Sequence, residues 1–206
     1  MKADEPFRLP GVAIPQRAPR PLRFPVPSTP EMDSHGITLR AETPDDIPFI
    51  RRLYAGSRAA EMTALGSMWD RDTKRDFVEK QFAYQYLHHA THYADADFAI
   101  ILRHGQPVGR IYLFWGAGGL RDCRLFEFMI LPDFREMGIG SLVLAALLRL
   151  ARSMQYSISL NVEPTNPARR LYARFGFVPE EGGFNRASIP MKWQDGPIHQ
   201  GLRLAG

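Results

Sequence analysis

The stretch PDFREMGIGSLVLAALLRLAR, Pro132 to Arg152, decides how the rest of the chain is read. Just before it, CRLFEFMIL (123–131) is apolar on both faces, the pattern of a strand buried in the middle of a sheet. After it, an apolar-periodic run continues as a helix to about Gln155. Between the two lies a tight turn, Arg135-Glu136-Met137-Gly138-Ile139-Gly140. A helix N-terminus carries unpaired backbone N–H groups and a partial positive charge. Glycines let that backbone approach a ligand, and an adjacent arginine adds charge. Such a turn suits phosphate. It also suits a plain strand-to-helix connection, in which glycine serves only its dihedral angles. A dinucleotide fingerprint is a third reading of Gly138-x-Gly140, with Glu163 roughly where a ribose-binding acid would sit. Its third glycine is missing, however, and Val143 stands there.

Working outward, 206 residues suffice for one domain with a sizeable core. A net charge of +4 and a pI near 9.4 suit an anionic ligand but are too mild to imply nucleic acid. One cysteine, Cys123, excludes an internal disulfide and fits a reducing compartment. No apolar run approaches the ~20 residues of a membrane span, so no membrane partner is expected. The N-terminus lacks the apolar core of a signal peptide, which points to the cytoplasm.

Composition shifts near residue 36. The first 35 residues hold 8 of the 17 prolines and read as an extended arm, draped or flexible, unable to build helix or sheet interior. The arm should be dispensable for folding, although it could serve as a polyproline ligand or bridge two subunits of a homodimer. Residues 36–195 form the domain, and 196–206 a C-terminal tail. Within the domain, ITLR (37–40) reads as a strand. TPDDIPFIRRLYAGS reads as a helix with Thr43 as N-cap and Asp46 closing a capping box. A second helix covers about Asp72 to His92. DFAIILR (97–103) and VGRIYLFW (108–115) form an antiparallel hairpin across His104–Pro107. SISLNV (157–162), a helix over NPARRLYARFG (166–176) ended by Gly176, and a strand over 187–193 complete the chain. The order implies a mixed, mostly antiparallel central sheet flanked by helices, with one parallel crossover from 123–131 to 157–162.

REMGIG resembles the Arg/Gln-x-x-Gly-x-Gly/Ala signature of the GCN5-related N-acetyltransferase (GNAT) superfamily, in the same strand-to-helix position. LNVEPTNPARRLYARFGF (160–177) is similar to that superfamily's second conserved block, and the two blocks occur in order. The likeness extends over residues 37–193 and looks most like the small bacterial members. It implies an acyl-CoA N-acyltransferase fold with acetyl-coenzyme A as donor. The pyrophosphate would rest on Arg135, Glu136, Met137, Gly138, Ile139, Gly140 and Ser141. Glu136 departs from the small or basic residue common there. The pantetheine arm would pair with the backbone of Met129, Ile130 and Leu131, where the fourth and fifth strands splay apart, and Asn166 would touch its side. The resemblance also implies that Tyr172 protonates the leaving thiolate.

Acetyl transfer to an amine requires a neutral nitrogen, an oxyanion donor and a proton for the thiolate. A strand N–H near Met129 or Ile130 would serve the oxyanion. Glu127 interrupts an otherwise apolar strand. A buried carboxylate there must pair with an arginine such as Arg110 or Arg124, or face the cleft, where it could act as base or hold a cation. By the same resemblance Asn161 stands at another base position common in the superfamily, and it cannot accept a proton usefully.

The expected acceptor is a primary amine on a small molecule, with a protein or peptide amine second. A non-catalytic acyl-CoA-binding protein of the same fold is the rival from another class. The segment EMTALGSMWD (61–70), with Trp69, lies between the first two helices, where the resemblance to the superfamily implies the wall of the acceptor site. His88 and His92 lie four apart, but without a third ligand they read as a solvated face or the acceptor rim, so no metal is expected. Cys123 reads as a packed strand residue. Arg149, Arg152, Arg169, Arg170 and Arg174 would place positive charge around the donor site or simply solvate helix faces.

Overall fold

Alternating apolar residues between Ile37 and Trp193 build one seven-stranded sheet in the computed structural model, which describes residues 19–116, 121–180 and 188–194. In chain order the elements are α1 (Pro30–Ser34), β1 (Ile37–Ala41), α2 (Ile47–Ala64), α3 (Arg71–His92), β2 (Asp97–Arg103), β3 (Gln106–Trp115), β4 (Asp122–Ile130), α4 (Ile139–Ser153), β5 (Ser157–Val162), α5 (Ala168–Arg174), β6 (Val178–Pro179) and β7 (Ile189–Trp193). Strand order is β1-β2-β3-β4-β5-β7-β6. All neighbours are antiparallel except β4 and β5, which are parallel and joined through α4. This is the mixed, mostly antiparallel sheet that the sequence implies. No described helix is long and apolar enough to cross a membrane.

Two apolar layers cover the sheet. On one face Ile139, Val143, Leu144, Leu147 and Ala151 of α4 pack on Ile111, Leu113, Cys123, Leu125, Ile158 and Leu160. Tyr172, Phe175 and Phe177 join that layer. On the other face α2 and α3 bury Phe49, Ile50, Leu53, Tyr54, Val78, Phe82 and Tyr86 against Ile100. Arg51 Nε lies 3.4 Å from Glu79 Oε2, between α2 and α3.

The start of α2 differs in detail from the sequence reading. Pro44–Asp46 forms a 3₁₀ turn before the α-helix begins. The Asp46 carboxylate accepts the Thr43 N–H at 2.8 Å, as a capping box requires. It is also held by Arg40 through bonds of 2.6 and 2.7 Å. The hairpin between β2 and β3 is tighter than expected, because β3 begins at Gln106. The start of the last strand at 187 and the tail 196–206 lie outside the described residues.

The arm departs most from expectation. Residues 30–34 do form a helix: Thr29 caps it, accepting the Met32 N–H at 3.2 Å, and Pro30 takes the first turn, where its missing N–H costs nothing. Met32 is fully buried and Val26 nearly so, both in the α4-side core. Phe24 packs on Trp115 with ring centroids 5.2 Å apart. The anchor is Asp97, which is 4% exposed. Its carboxylate accepts the Arg23 N–H at 2.6 Å, the Phe24 N–H at 3.0 Å and Trp115 Nε1–H at 3.1 Å. Residues 19–35 are therefore not a loose drape, and their removal would expose core. Residues 1–18 lie outside the described residues.

Asp97→Ala would leave three donors without their acceptor, one of them the buried indole N–H. A loss of about 2–3 kcal/mol in urea unfolding is expected, with increased proteolysis within residues 19–29. Wild-type stability would show that the arm is not held by this carboxylate.

Candidate active site

The turn after β4 is built as an open cradle. A 3₁₀ turn, Pro132–Phe134, leads out of the strand. Glu136 and Gly138 then take left-handed conformations, φ +63° and +78°. Gly138 is the N-cap of α4, and the first helical donor used inside is the Leu142 N–H, which bonds the Gly138 carbonyl at 3.0 Å. The N–H groups of Ile139, Gly140 and Ser141 precede it and have no intrahelical partner. A side-chain carbon placed on Gly138 would meet nothing within 4 Å, so glycine is needed here for its dihedral, and the space above it is open. The same carbon on Gly140 would lie 3.4 Å from Ile130 Cδ1 and 3.5 Å from Leu171 Cδ2, so this end of the cradle sits between β4 and α5.

Three arginines surround the cradle. Arg135 turns back and donates Nε–H to the Ile130 carbonyl at 3.0 Å, tying the turn to the strand end. Arg174 donates to Ser141 Oγ at 2.9 Å. Arg103, at the end of β2, reaches Met137 Sδ at 3.0 Å, and nothing in its sequence position signals that proximity. Of the other arginines expected nearby, Arg149 pairs with Glu31 at 3.3 Å, Arg152 stacks over Trp193, and Arg169 bonds the Pro164 carbonyl.

Beside the cradle the sheet opens. β4 and β5 pair only from Asp122–Leu125 to Ser157–Leu160, while β4 runs on to Ile130. The expected splay thus begins at Leu125. Strand alternation decides which backbone groups face the gap. Leu131 donates its N–H to the Val108 carbonyl at 2.9 Å, toward β3. The Met129 carbonyl lies on that side too, pressed against the place where a Gly109 side chain would begin. Of the three residues the sequence reading assigned to the gap, Met129 and Leu131 therefore point their polar groups at β3. Ile130 faces the gap with its N–H, its carbonyl being held by Arg135. By the same alternation Phe128 faces the gap, a position the sequence reading missed.

Glu127 reaches its place through an irregularity. Tyr112 pairs with Glu127, but Leu113 pairs with Leu125, so Phe126 is an extra, unpaired residue in β4. Cys123 and Leu125 lie in the α4-side core. Simple alternation would send Glu127 the same way. The bulge reverses the phase, and Glu127 emerges on the α2/α3 side with Arg110 and Tyr112. Phe126 packs there against His89, Tyr93, Phe98 and Tyr112.

The Glu127 carboxylate, 8% exposed, lies 3.2 Å from Arg110 Nη2, whose side chain is 1% exposed. Arg110, not Arg124, is thus the partner. Arg110 also donates to Gln85 Oε1 at 3.0 Å, and its guanidinium stands 4.9 Å from the centroid of the Tyr112 ring. The Tyr112 hydroxyl donates to Glu42, which is buried as well. Burial raises the Glu127 carboxyl above its ordinary range, while the charges of Arg110 and Arg58 pull it back. The group is thus poised to accept a proton more readily than a solvated glutamate.

Tyr172 sits on α5, 6% exposed, with its ring 5.6 Å from Phe177. Burial, reinforced by the Glu127 charge, raises its phenol well above the usual range. It holds its proton at neutral pH and feels the carboxylate from the opposite face of the sheet. Asn166 is exposed, and its Oδ1 accepts the Ala168 N–H at 2.9 Å, so its side chain caps α5. His88 and His92 stack at 4.3 Å on α3. No group of three metal-binding side chains occurs among the described residues. Burial pushes the Cys123 thiol up, which disfavours the reactive thiolate. Trp69 packs edge-on against Phe77 at 5.2 Å, between α2 and α3.

Residues 62–177 match the model of the acetyltransferase (GNAT) family. Among solved structures, the chain is similar to the PaiA N-acetyltransferase from Thermoplasma acidophilum in complex with coenzyme A. Identity is 14%, the TM-score 0.57, and coverage 77% of this chain and 99% of that one. An acetyltransferase from Thermus thermophilus matches at 20% identity and a TM-score of 0.53, over 77% of this chain and 96% of that one. PH1933 from Pyrococcus horikoshii matches at 19% identity and a TM-score of 0.53, over 78% and 99% respectively. At these identities the likeness is one of fold. No curated protein matches the chain.

Arg110→Met would leave the Glu127 carboxylate buried without its cation. A loss of about 3–5 kcal/mol at neutral pH is expected. Glu127 is then an acid whose folded-state pKa lies above its unfolded value. Its contribution is most favourable below the unfolded pKa and is lost as pH rises through the folded one. The deficit should therefore shrink as pH falls from 7 toward 5, in urea titrations of both proteins. A deficit independent of pH would show that Arg110 acts through packing alone.

Proposed function

The chain belongs to the GNAT acetyltransferase family, and from that premise we propose that it is an acetyl-CoA-dependent N-acetyltransferase acting on a primary amine by direct attack in a ternary complex. The observation that carries the reading is the meeting of three features at one gap. The open cradle lies at the end of β4, Glu127 on one side of the strand, and Tyr172 across from it. The gap is a break in the pairing of β4 with β5, and an extended pantetheine arm could pair with its open edge.

The cradle fits a pyrophosphate. Free N–H groups of Ile139, Gly140 and Ser141 point out of the helix end, left-handed residues shape the turn, and Arg103 and Arg174 add positive charge beside it. Arg135 contributes by fixing the turn to Ile130, with its remaining donors free to meet the anion. Glu136 is exposed at the turn, and its left-handed backbone belongs to the cradle shape. Asn166 supports the site by capping the helix that carries Tyr172.

At the reacting end, the Ile130 N–H is the gap-facing donor for the thioester oxygen, where negative charge develops. The amine nitrogen forms a bond to the acyl carbon as the bond to sulfur breaks. Glu127 takes up the proton the nitrogen sheds, directly or through water, and Arg110 fixes its carboxylate. Tyr172 gives its phenolic proton to the departing sulfur. The acceptor is a small-molecule amine, and a protein or peptide amine is the second class.

Two measurements test this reading. Gly138→Asp places a carboxylate over the cradle and should weaken acetyl-CoA binding at least tenfold, about 1.4 kcal/mol, by calorimetry. Gly138→Asn is the backbone control, since asparagine tolerates the left-handed conformation better than most residues. Equal affinities in all three proteins would rule out the cradle. Tyr172→Phe should lower kcat about 100-fold at nearly constant acetyl-CoA affinity, across the whole pH range. Glu127→Gln should instead recover as pH rises toward 9, because more of the amine is then neutral unaided. Thiol release at wild-type rate from Tyr172→Phe would exclude the acid role. Thiol release from no amine at all, with acetyl-CoA bound, would favour a binding protein of the same fold.

A further inference from the structure

The α2/α3 side of the gap holds a cavity of about 120 Å³ lined by Tyr54, Arg58, Glu61, Phe77, Val78 and Gln81. Its position relative to the gap follows from packing. α2 crosses the exit of β4, where a side-chain carbon on Gly56 would lie 3.4 Å from Pro132. Met129 and Leu131 pack into the same α2/α3 cluster as Tyr54 and Val78. Arg58 is one of the two cations whose charge bears on the Glu127 carboxyl. The cavity lies between α2 and α3, in the layer that covers the face of β4 carrying Glu127.

Its walls divide by chemistry. Phe77 and Val78 are apolar and Tyr54 adds an aromatic ring whose hydroxyl bonds Arg58; all three are buried or half-buried. Arg58 is the one cation in the lining among the described residues, and its guanidinium is held 5.4 Å from the centroid of the Tyr54 ring. Nη1 is 3.2 Å from Glu61 Oε2, one helical turn away, but Glu61 is 53% exposed and shares solvent. Glu61 and the Tyr54 hydroxyl take up only part of the five-donor fork that Arg58 brings to the cavity wall. A ligand carboxylate meeting it would pay little ordering cost. Arg110 behind Glu127 adds a second cation to the same face.

Resting on the acetyltransferase reading above, we propose that this cavity is the acceptor subsite and that it takes a small primary amine carrying a carboxylate, with Arg58 as the carboxylate anchor. The amine then lies toward Glu127 and the gap, and any short side chain lies on Tyr54, Phe77 and Val78. The small volume and the single anchoring cation fit an amino-acid-like molecule better than an extended peptide.

The test uses matched acceptors that differ by the carboxylate: alanine and ethylamine, phenylalanine and 2-phenylethylamine, ornithine and putrescine. With acetyl-CoA and the full chain, kcat/KM for the carboxylate member of the turned-over pairs should exceed that of its partner at least tenfold. In Arg58→Gln that ratio should fall at least tenfold, mainly through KM, and Arg58→Lys should restore part of it. A wild-type preference for the bare amine, or a ratio unmoved by Arg58→Gln, overturns the proposal. Binding of the product amides, N-acetylphenylalanine against N-(2-phenylethyl)acetamide, is measured alongside in the presence of coenzyme A. Should no amine be turned over, selective binding of the carboxylate amide that depends on Arg58 would support the subsite while sinking the transferase reading. Equal or absent binding of both amides would overturn the subsite.

Discussion

One buried ion pair constrains much of what surrounds it. Glu127 and Arg110 face each other at 3.2 Å with almost no access to water. Either alone would be costly in that position, and the two together are tolerable only because their geometry is fixed. Fixing it requires β3 and β4 to stay in register at Tyr112–Glu127, Gln85 to reach down from α3, and the Tyr112 ring to lie under the guanidinium. The bulge at Phe126 makes this possible. Without the extra residue, Glu127 would enter the apolar layer beneath α4, where none of these partners lies.

The bulge and the opening of the sheet are neighbours. Pairing between β4 and β5 ends at Leu125, one residue before Phe126. A bulge bends its strand and increases local twist, which carries the end of β4 away from β5. The separated strand leaves backbone groups of Phe128 and Ile130 facing a gap inside the fold, where unpaired polar groups are costly. Arg135 satisfies one of them, the Ile130 carbonyl, and in doing so fixes the turn that begins α4. The cradle, the gap and the carboxylate are thus three consequences of how one strand is irregular.

A second buried carboxylate plays the corresponding role at the far side of the sheet. Asp97 gathers two backbone N–H groups of the arm and the indole of Trp115. Prolines keep the arm from competing for strand pairing, so side chains such as Phe24, Val26 and Met32 attach it through burial instead. Low regular-structure propensity here did not mean low order. Tertiary contacts supplied what the local sequence withheld.

The main elements of the fold were legible because their signals are local. Period-two runs gave the strands, apolar spacing gave α4, and Thr43 with Asp46 marked the entry to α2. The turn at Arg135–Gly140 was legible for the same reason, since a helix start and a left-handed glycine are written in a few adjacent residues. Glu127 could be singled out because a carboxylate in an apolar strand demands an explanation. Its partner could not, because Arg110 and Arg124 fit the demand equally well in one dimension. The choice depended on strand phase, and a bulge shifts phase without leaving a mark in the residue pattern. Likewise, Ile130 rather than Met129 or Leu131 faces the gap because alternation is counted from the pairing with Val108, which only the assembled sheet defines. Arg103 beside the cradle, Asp97 beneath the arm and Arg58 above the strand end are contacts between residues far apart in sequence. Their positions follow from how the helices lie across the sheet, which tertiary packing alone decides.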